Sequence, residues 1–153
     1  MRVLVTYADD DGASADTAYL IGETLVRDGL ESVVRPVETA TAGEFDAVVL
    51  GSTARTGHWL RGAVRFALAQ RQTLRRMPVW LYSNSPAGDA LVPEHDIDIA
   101  CVEDAVVPLD HRPFLAGGHK PGWTPHALQP NRREVYGWAH QIATALQASD
   151  PAL

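Results

Sequence analysis

The sequence is short of cysteine, of basic charge and of long apolar runs, and each shortage removes a class of protein. A lone thiol, Cys101, permits no intramolecular disulfide and no Cys-x-x-Cys redox or zinc pattern. No apolar stretch approaches the roughly 20 residues that a membrane-spanning helix needs, so no membrane span is expected. Acidic residues outnumber basic ones by 19 to 13, giving a formal charge of −6 and a pI near 5.4. That balance argues against nucleic acid as the main partner. Internal repeats, low-complexity tracts and linker-like stretches are also missing. The opening MRVLVTY reads as a buried strand running into a turn rather than as a secretory signal, so the expected location is the cytoplasm.

What is present fits one domain spanning residues 1–153. A chain of this length buries about 68–70% of the surface its unfolded form exposes, so it needs no disulfide or metal staple. Short continuous apolar runs alternate with longer helical periods. Arg2–Tyr7 is a β-branched run, followed by the polar turn Ala8–Ser14. Ala18, Ile21, Leu25 and Val26 then fall on one helix side, with Gly29 as a C-terminal stop. Ser32–Val37 reads as a second strand. Phe45–Gly51 (FDAVVLG) reads as the central strand, because burial on both faces removes polar alternation.

The spacing next predicts a helix over His58–Leu74, with Leu60, Val64, Ala67 and Leu68 inward. Arg61, Arg65, Arg71, Arg75 and Arg76 lie along this segment and read as a solvated helix face. Pro78–Ser83 is a fourth buried strand, and His95–Val106 a helix carrying Ile97, Ile99, Val102 and Val106. His111–Ala116 reads as a fifth strand, where Pro113 removes a ladder donor and implies an edge or a bulge. Gly117–Pro130 is loop. Asn131 is a suitable N-cap for a terminal helix to Ala148, with Glu134 three residues on. This order implies a parallel α/β sheet with helices on both faces, and right-handed crossovers make it doubly wound. Ligands of such sheets sit outside the carboxyl ends of the strands where strand order reverses. The candidate loops are therefore Ala8–Ser14, Ser52–His58 and Asn84–Gly88.

At these loops the residues resemble a known family. MRVLVTYA opens the chain, Gly12 and Ser14 precede the first helix, and FDAVVLGS leads into Thr56-Gly57-His58-Trp59-Leu60. PVWLYSNSPAG ends at Gly88, HRPFLAGG stands at the fifth strand, and Trp138 in the closing helix. Taken in order, they resemble the flavodoxin-domain family, most closely its short bacterial branch that includes the menaquinone-dependent protoporphyrinogen oxidases. The resemblance implies a flavodoxin-like five-stranded parallel sheet in the order 2-1-3-4-5 and non-covalent FMN. Asp9, Asp10, Asp11, Gly12, Ala13 and Ser14 would take the phosphate. Ser52, Thr53, Ala54, Arg55, Thr56, Gly57 and Trp59 would lie along one side of the ring, with Asn84, Ser85, Pro86, Ala87 and Gly88 along the other. The function it implies is that of an electron carrier or small FMN-dependent oxidoreductase, with a redox protein or a quinone as partner. The sequence fixes neither a catalytic residue nor an oligomeric state.

The first loop sets a condition on that reading. A phosphate loop aims backbone N–H groups and hydroxyls at a dianion, at the positive end of a helix dipole. Here Asp9, Asp10 and Asp11 stand where relatives carry a hydroxyl and basic or neutral residues. The carboxylates either point outward as a solvated turn, or share a divalent cation with the phosphate, or repel it. Arg55 in the second loop is placed to reach an anionic group or to remain solvated. The alternative to a redox domain is accordingly a flavodoxin-like scaffold that has lost FMN and serves as a binding or regulatory module.

Other chemistry is sparse. His95, His111, His119 and His126 lack metal-ligand spacing and read as scattered surface residues. Ser83 and Ser85 follow a strand without the Gly-x-Ser-x-Gly of a hydrolase elbow. A phosphotransfer receiver would need an Asp at the end of the third strand, where Gly51-Ser52 stands.

Overall fold

A computed structural model of the chain describes residues 1–10, 12–55, 58–85, 97–115 and 131–149. The opening apolar run forms β1 (Arg2–Ala8), and α1 (Ala13–Arg27) leads to β2 (Glu31–Pro36). Two 3₁₀ turns, Val37–Thr39 and Ala42–Glu44, cross to β3 (Ala47–Arg55). A two-residue strand, β4 (His58–Trp59), precedes α2 (Arg61–Ala69) and α3 (Arg71–Leu74). Then follow β5 (Val79–Ser85), α4 (Ile97–Val106), β6 (Asp110–Leu115) and α5 (Arg132–Ser149).

The main sheet runs β2-β1-β3-β5-β6, all parallel, so the five long strands take the expected order. β4 is the addition. It pairs antiparallel with the end of β3 through Ala54↔Trp59 and Arg55↔His58, so these two residues do not open the second helix as the periodicity suggested. Trp59 is buried and its backbone is held in the hairpin, which delays the helix until Arg61. The same helix breaks at Gln70, whose Oε1 accepts the Ala42 N–H at 2.6 Å and whose Nε2 donates to the Ala40 carbonyl at 3.3 Å. One side chain thus ties the α2–α3 corner to the crossover between β2 and β3. All five arginines of this segment are exposed, as expected.

The helices cover both faces. Ile21, Leu25, Trp138, Ile142 and Leu146 of α1 and α5 pack with Val3, Val5, Val49, Tyr82 and Phe114. On the other face, Phe66, Leu74, Val102 and Val106 pack with Leu4, Val48, Leu50 and Leu81. Two positions counted as inward are not: Val26 is 57% exposed and Leu68 37%. Each lies beside a more central neighbour, Leu25 or Ala67, that takes the core position. β6 is one of the two edge strands among the described residues, with Pro113 in register with Ser83, where a missing N–H is tolerated. Asn131 caps α5, its Oδ1 accepting the Arg133 N–H at 3.0 Å. Gly29 sits at φ +94 just past α1, a left-handed stop that glycine adopts without strain.

Candidate functional site

β1, β3 and β5 are neighbours, and strand order reverses between β1 and β3. Their carboxyl ends, at Ala8, Arg55 and Ser85, bring the described parts of the three predicted loops to one edge of the sheet. Asp11, Thr56, Gly57, Pro86, Ala87 and Gly88 lie outside the described residues.

At the first loop, Gly12 has φ +91 and stands just before α1. The Asp9 carboxylate bridges the helix head: Oδ1 accepts the Gly12 N–H at 2.8 Å and Oδ2 accepts the Ala15 N–H at 2.8 Å. A carboxylate is favoured there because the first N–H groups of a helix have no intrahelical acceptor and carry the positive end of its dipole. Asp10 turns the other way and pairs with Arg55, whose Nε and Nη2 donate at 2.8 and 3.2 Å. Ser14 points inward. Its fully buried hydroxyl lies 3.1 Å from Thr53 Oγ1, and its carbonyl accepts the Tyr82 hydroxyl at 2.9 Å.

The ends of β3 and β5 are polar and buried. Ser52, Thr53, Asn84 and Ser85 all lie inside, and the Thr53 and Asn84 side chains bond to Ser14 and Thr17, far along the chain. Asn84 Nδ2 donates to Thr17 Oγ1 at 3.0 Å, and Ser52 Oγ accepts the Leu60 N–H at 3.0 Å. Ala54 is buried and only Arg55 of this group is exposed. Two buried oxygens near this layer, Asn84 Oδ1 and Thr6 Oγ1, have no hydrogen-bond partner among the described residues.

Tyr82 links this polar layer to the core, since its ring packs edge-on to Trp138 while its hydroxyl holds α1. Burial above all, with Asp9 and Tyr7 adding, pushes its phenol well above the usual tyrosine range. The Tyr7 phenol is also raised, chiefly by burial. In both, the fold favours the neutral phenol. Their contribution to stability is therefore complete below the unfolded value near pH 10 and is lost as pH rises beyond it. We expect denaturant midpoints to fall steeply above pH 10. Tyr82→Phe should flatten that limb by up to about 1.4 kcal/mol per pH unit. At pH 7 it should cost about 1–2 kcal/mol, because the Ser14 carbonyl loses its donor. An unchanged alkaline limb would show that the phenol ionises freely.

On the opposite face, four side chains form a chain that no sequence pattern marked. Trp59 Nε1 donates to Ser83 Oγ at 2.7 Å, Ser83 Oγ lies 2.8 Å from His111 Nε2, and His111 Nδ1 lies 2.8 Å from Glu103 Oε1. An indole only donates and a carboxylate only accepts. With a neutral imidazole the direction is fixed: Trp59 to Ser83 to His111 to Glu103. His111 is thus half-buried and fully engaged, not a scattered surface histidine. Ser, His and Glu in this sequence also make up an acyl-transfer triad. Ser83 is only 2% exposed and already accepts the indole N–H, so the group joins β4, β5, β6 and α4 rather than presenting a nucleophile.

A doubly wound parallel sheet with its polar edge at the strand-order reversal defines the open-sheet, flavodoxin-like class of α/β fold. The sequence profile described as "Flavodoxin domain" matches residues 4–100. The chain belongs to the flavodoxin domain family. Among solved structures it is similar to a flavodoxin from Pseudomonas aeruginosa carrying the C101S substitution, with TM-score 0.68 and 16% identity over 96% of this chain and 99% of that one. A Streptococcus pneumoniae TIGR4 flavodoxin aligns with TM-score 0.69 and 12% identity, over 95% and 99% of the two chains. The rubredoxin oxygen:oxidoreductase of Desulfovibrio gigas aligns with TM-score 0.67 and 14% identity over 96% of this chain. This chain spans only 36% of that protein. No protein among the curated ones matches the sequence.

The FMN that the resemblance implies meets these residues unequally. At the ring end, the carboxyl ends of β3 and β5 lie side by side, with Ser52 in register with Ser83 and Thr53 with Asn84. The phosphate end does not fit. Asp9 holds two of the amides a phosphate would use, Asp10 neutralises Arg55, and the Ser14 hydroxyl faces the core. Two unit charges about 4 Å apart repel by roughly 4 kcal/mol at an effective dielectric of about 20. Asp9 and Asp10 diverge, one towards the helix head and the other towards Arg55. Among the described residues, no three His, Cys, Asp or Glu side chains are grouped to hold a metal ion. No described helix is long and apolar enough to cross a membrane.

Proposed function

We propose that this chain is a flavin-binding redox domain, an electron carrier or a small flavin oxidoreductase, working from the carboxyl ends of β1, β3 and β5. The observation that carries the reading is the convergence of those three ends at the strand-order reversal, in a member of the flavodoxin domain family. Such a protein supplies orientation and ring electrostatics, while the flavin supplies the redox chemistry. The family likeness names FMN as the flavin, and a redox protein or quinone as the partner. Residues 52–59 and 84–88 would flank the ring. A cytoplasmic location and a single unit over residues 1–153 belong to the same reading.

A second reading is favoured by one observation, the Asp9 carboxylate on the Gly12 and Ala15 amides. On that reading the chain is a flavodoxin-like scaffold without flavin, used as a binding or regulatory module. Visible absorbance of the purified protein, followed by titration of FMN and of riboflavin against flavin fluorescence, separates the two. Flavin bands, or quenching at micromolar ligand, support the redox domain. A colourless preparation that quenches neither flavin leaves the scaffold.

A further inference from the structure

The conflict at the head of α1 points to a ligand preference, which rests on the flavin reading above. We propose that Asp9 is a resident anion taking the place of a ligand phosphate, so that this site accepts an uncharged flavin, riboflavin in form, in preference to FMN. Among the described residues, two amides and both polar side chains placed to meet an incoming phosphate are already engaged within the chain. The amides of Gly12 and Ala15 each donate to Asp9 at 2.8 Å. The Ser14 hydroxyl is fully buried against Thr53. The Arg55 guanidinium is bound by Asp10 through two nitrogens.

The carboxylate is also well held. It spans from the residue after β1 to the first turn of α1, so both of its oxygens are used and the loop closes on itself. A dianion entering here must either displace Asp9 from both amides or rest beside it. The second course costs roughly a thousandfold in affinity for charges about 4 Å apart at an effective dielectric of about 20. An uncharged ribityl end meets neither obstacle. The positive helix head that would otherwise attract phosphate already carries the Asp9 carboxylate on two of its amides.

The test uses the whole chain and its Asp9→Asn and Asp9→Ser variants, each confirmed as folded by circular dichroism. Dissociation constants for riboflavin and FMN are read from quenching of flavin fluorescence. The wild type should bind riboflavin at least about tenfold more tightly than FMN, and both variants should shift the ratio towards FMN by tenfold or more. FMN binding to the wild type as tightly as riboflavin, or a ratio unmoved by either variant, overturns the proposal while leaving the redox reading intact. Quenching by neither flavin overturns the flavin reading and the preference with it. A second measurement needs no flavin: inorganic phosphate, against chloride at equal ionic strength, should raise the melting temperature of Asp9→Ser but not that of the wild type. Stabilisation of the wild type by phosphate would show that Asp9 does not close the helix head.

Discussion

Gly51→Ala should be the most damaging methyl that can be added at any described glycine of this protein. A Cβ built on Gly51 would lie 1.9 Å from Cζ of Tyr82 and 2.2 Å from both of its Cε atoms. The ring lies flat over the glycine of the neighbouring strand, where Gly51 and Tyr82 are in register. It has nowhere to go. Trp138 meets it edge-on with centroids 6.3 Å apart, Phe114 lies at 6.3 Å, and the hydroxyl is fixed to the Ser14 carbonyl. Overpacking a well-filled core costs about 1–3 kcal/mol and occasionally more. With the aromatic cluster immobile, we expect a loss of about 4 kcal/mol. That is a large part of the roughly 5–15 kcal/mol by which such proteins are stable. For a chain of this size it corresponds to about 8–16 °C in melting temperature.

The consequence reaches the site, because Tyr82 is also what ties α1 to β5. A displaced ring would release the Ser14 carbonyl, one residue from the Ala15 amide that Asp9 holds. Tyr82→Leu in the Gly51→Ala background removes the clash, so the double variant should be less destabilised than the sum of the two single variants. Near-ultraviolet circular dichroism melts of the three variants measure this. A Gly51→Ala protein melting within about 2 °C of the wild type would mean that the ring does not cover this glycine.

Much of the fold can be read locally and much of the site cannot, for one physical reason. β1 and the first parts of β3 and β5 are continuous β-branched or apolar runs, and burial on both faces makes such runs self-evident. The periodicity places β3 at Phe45–Gly51 and the fourth long strand at Pro78–Ser83, yet the strands run on to Arg55 and Ser85. Their last residues are Ser, Thr and Asn, which locally signal a turn. They stay in the sheet because their partners are distant: Ser14 for Thr53, Thr17 for Asn84, Trp59 for Ser83. No window of sequence contains both halves of such a bond. His111 went unnoticed in the same way, since Glu103 is on α4 and Ser83 on β5. The acidic turn shows the converse. Its conflict with a phosphate is plain in the sequence, whereas which carboxylate turns inward depends on the left-handed Gly12 and on Arg55 drawing Asp10 away.

Ser83→Ala should also be strongly damaging, although it removes a single oxygen. That oxygen lies between the buried Trp59 ring and the half-buried His111 ring, accepting from Trp59 and, with a neutral imidazole, donating to His111. Without it the indole N–H has no acceptor and His111 Nε2 has no donor, and a buried polar group stranded in this way costs about 1–3 kcal/mol. Two stranded groups, lessened by the partial exposure of His111, put the expected loss at about 2–4 kcal/mol, read as a shift in urea midpoint with unchanged slope. Trp59→Phe strands only the serine's lone pair and should cost less. Combining Trp59→Phe with Ser83→Ala removes donor and acceptor together, so the pair should show a coupling of about 1–2 kcal/mol in a double-mutant cycle. Additive losses would mean that Trp59 and Ser83 do not share a hydrogen bond. If the chain binds flavin as proposed, the single Ser83→Ala change should also weaken that binding, because Trp59 is paired with the end of β3. His111→Gln, which retains a polar partner for Ser83, should weaken it less. That order of effects follows from the direction of the chain, which starts at the indole beside the site and ends at a half-exposed carboxylate on α4.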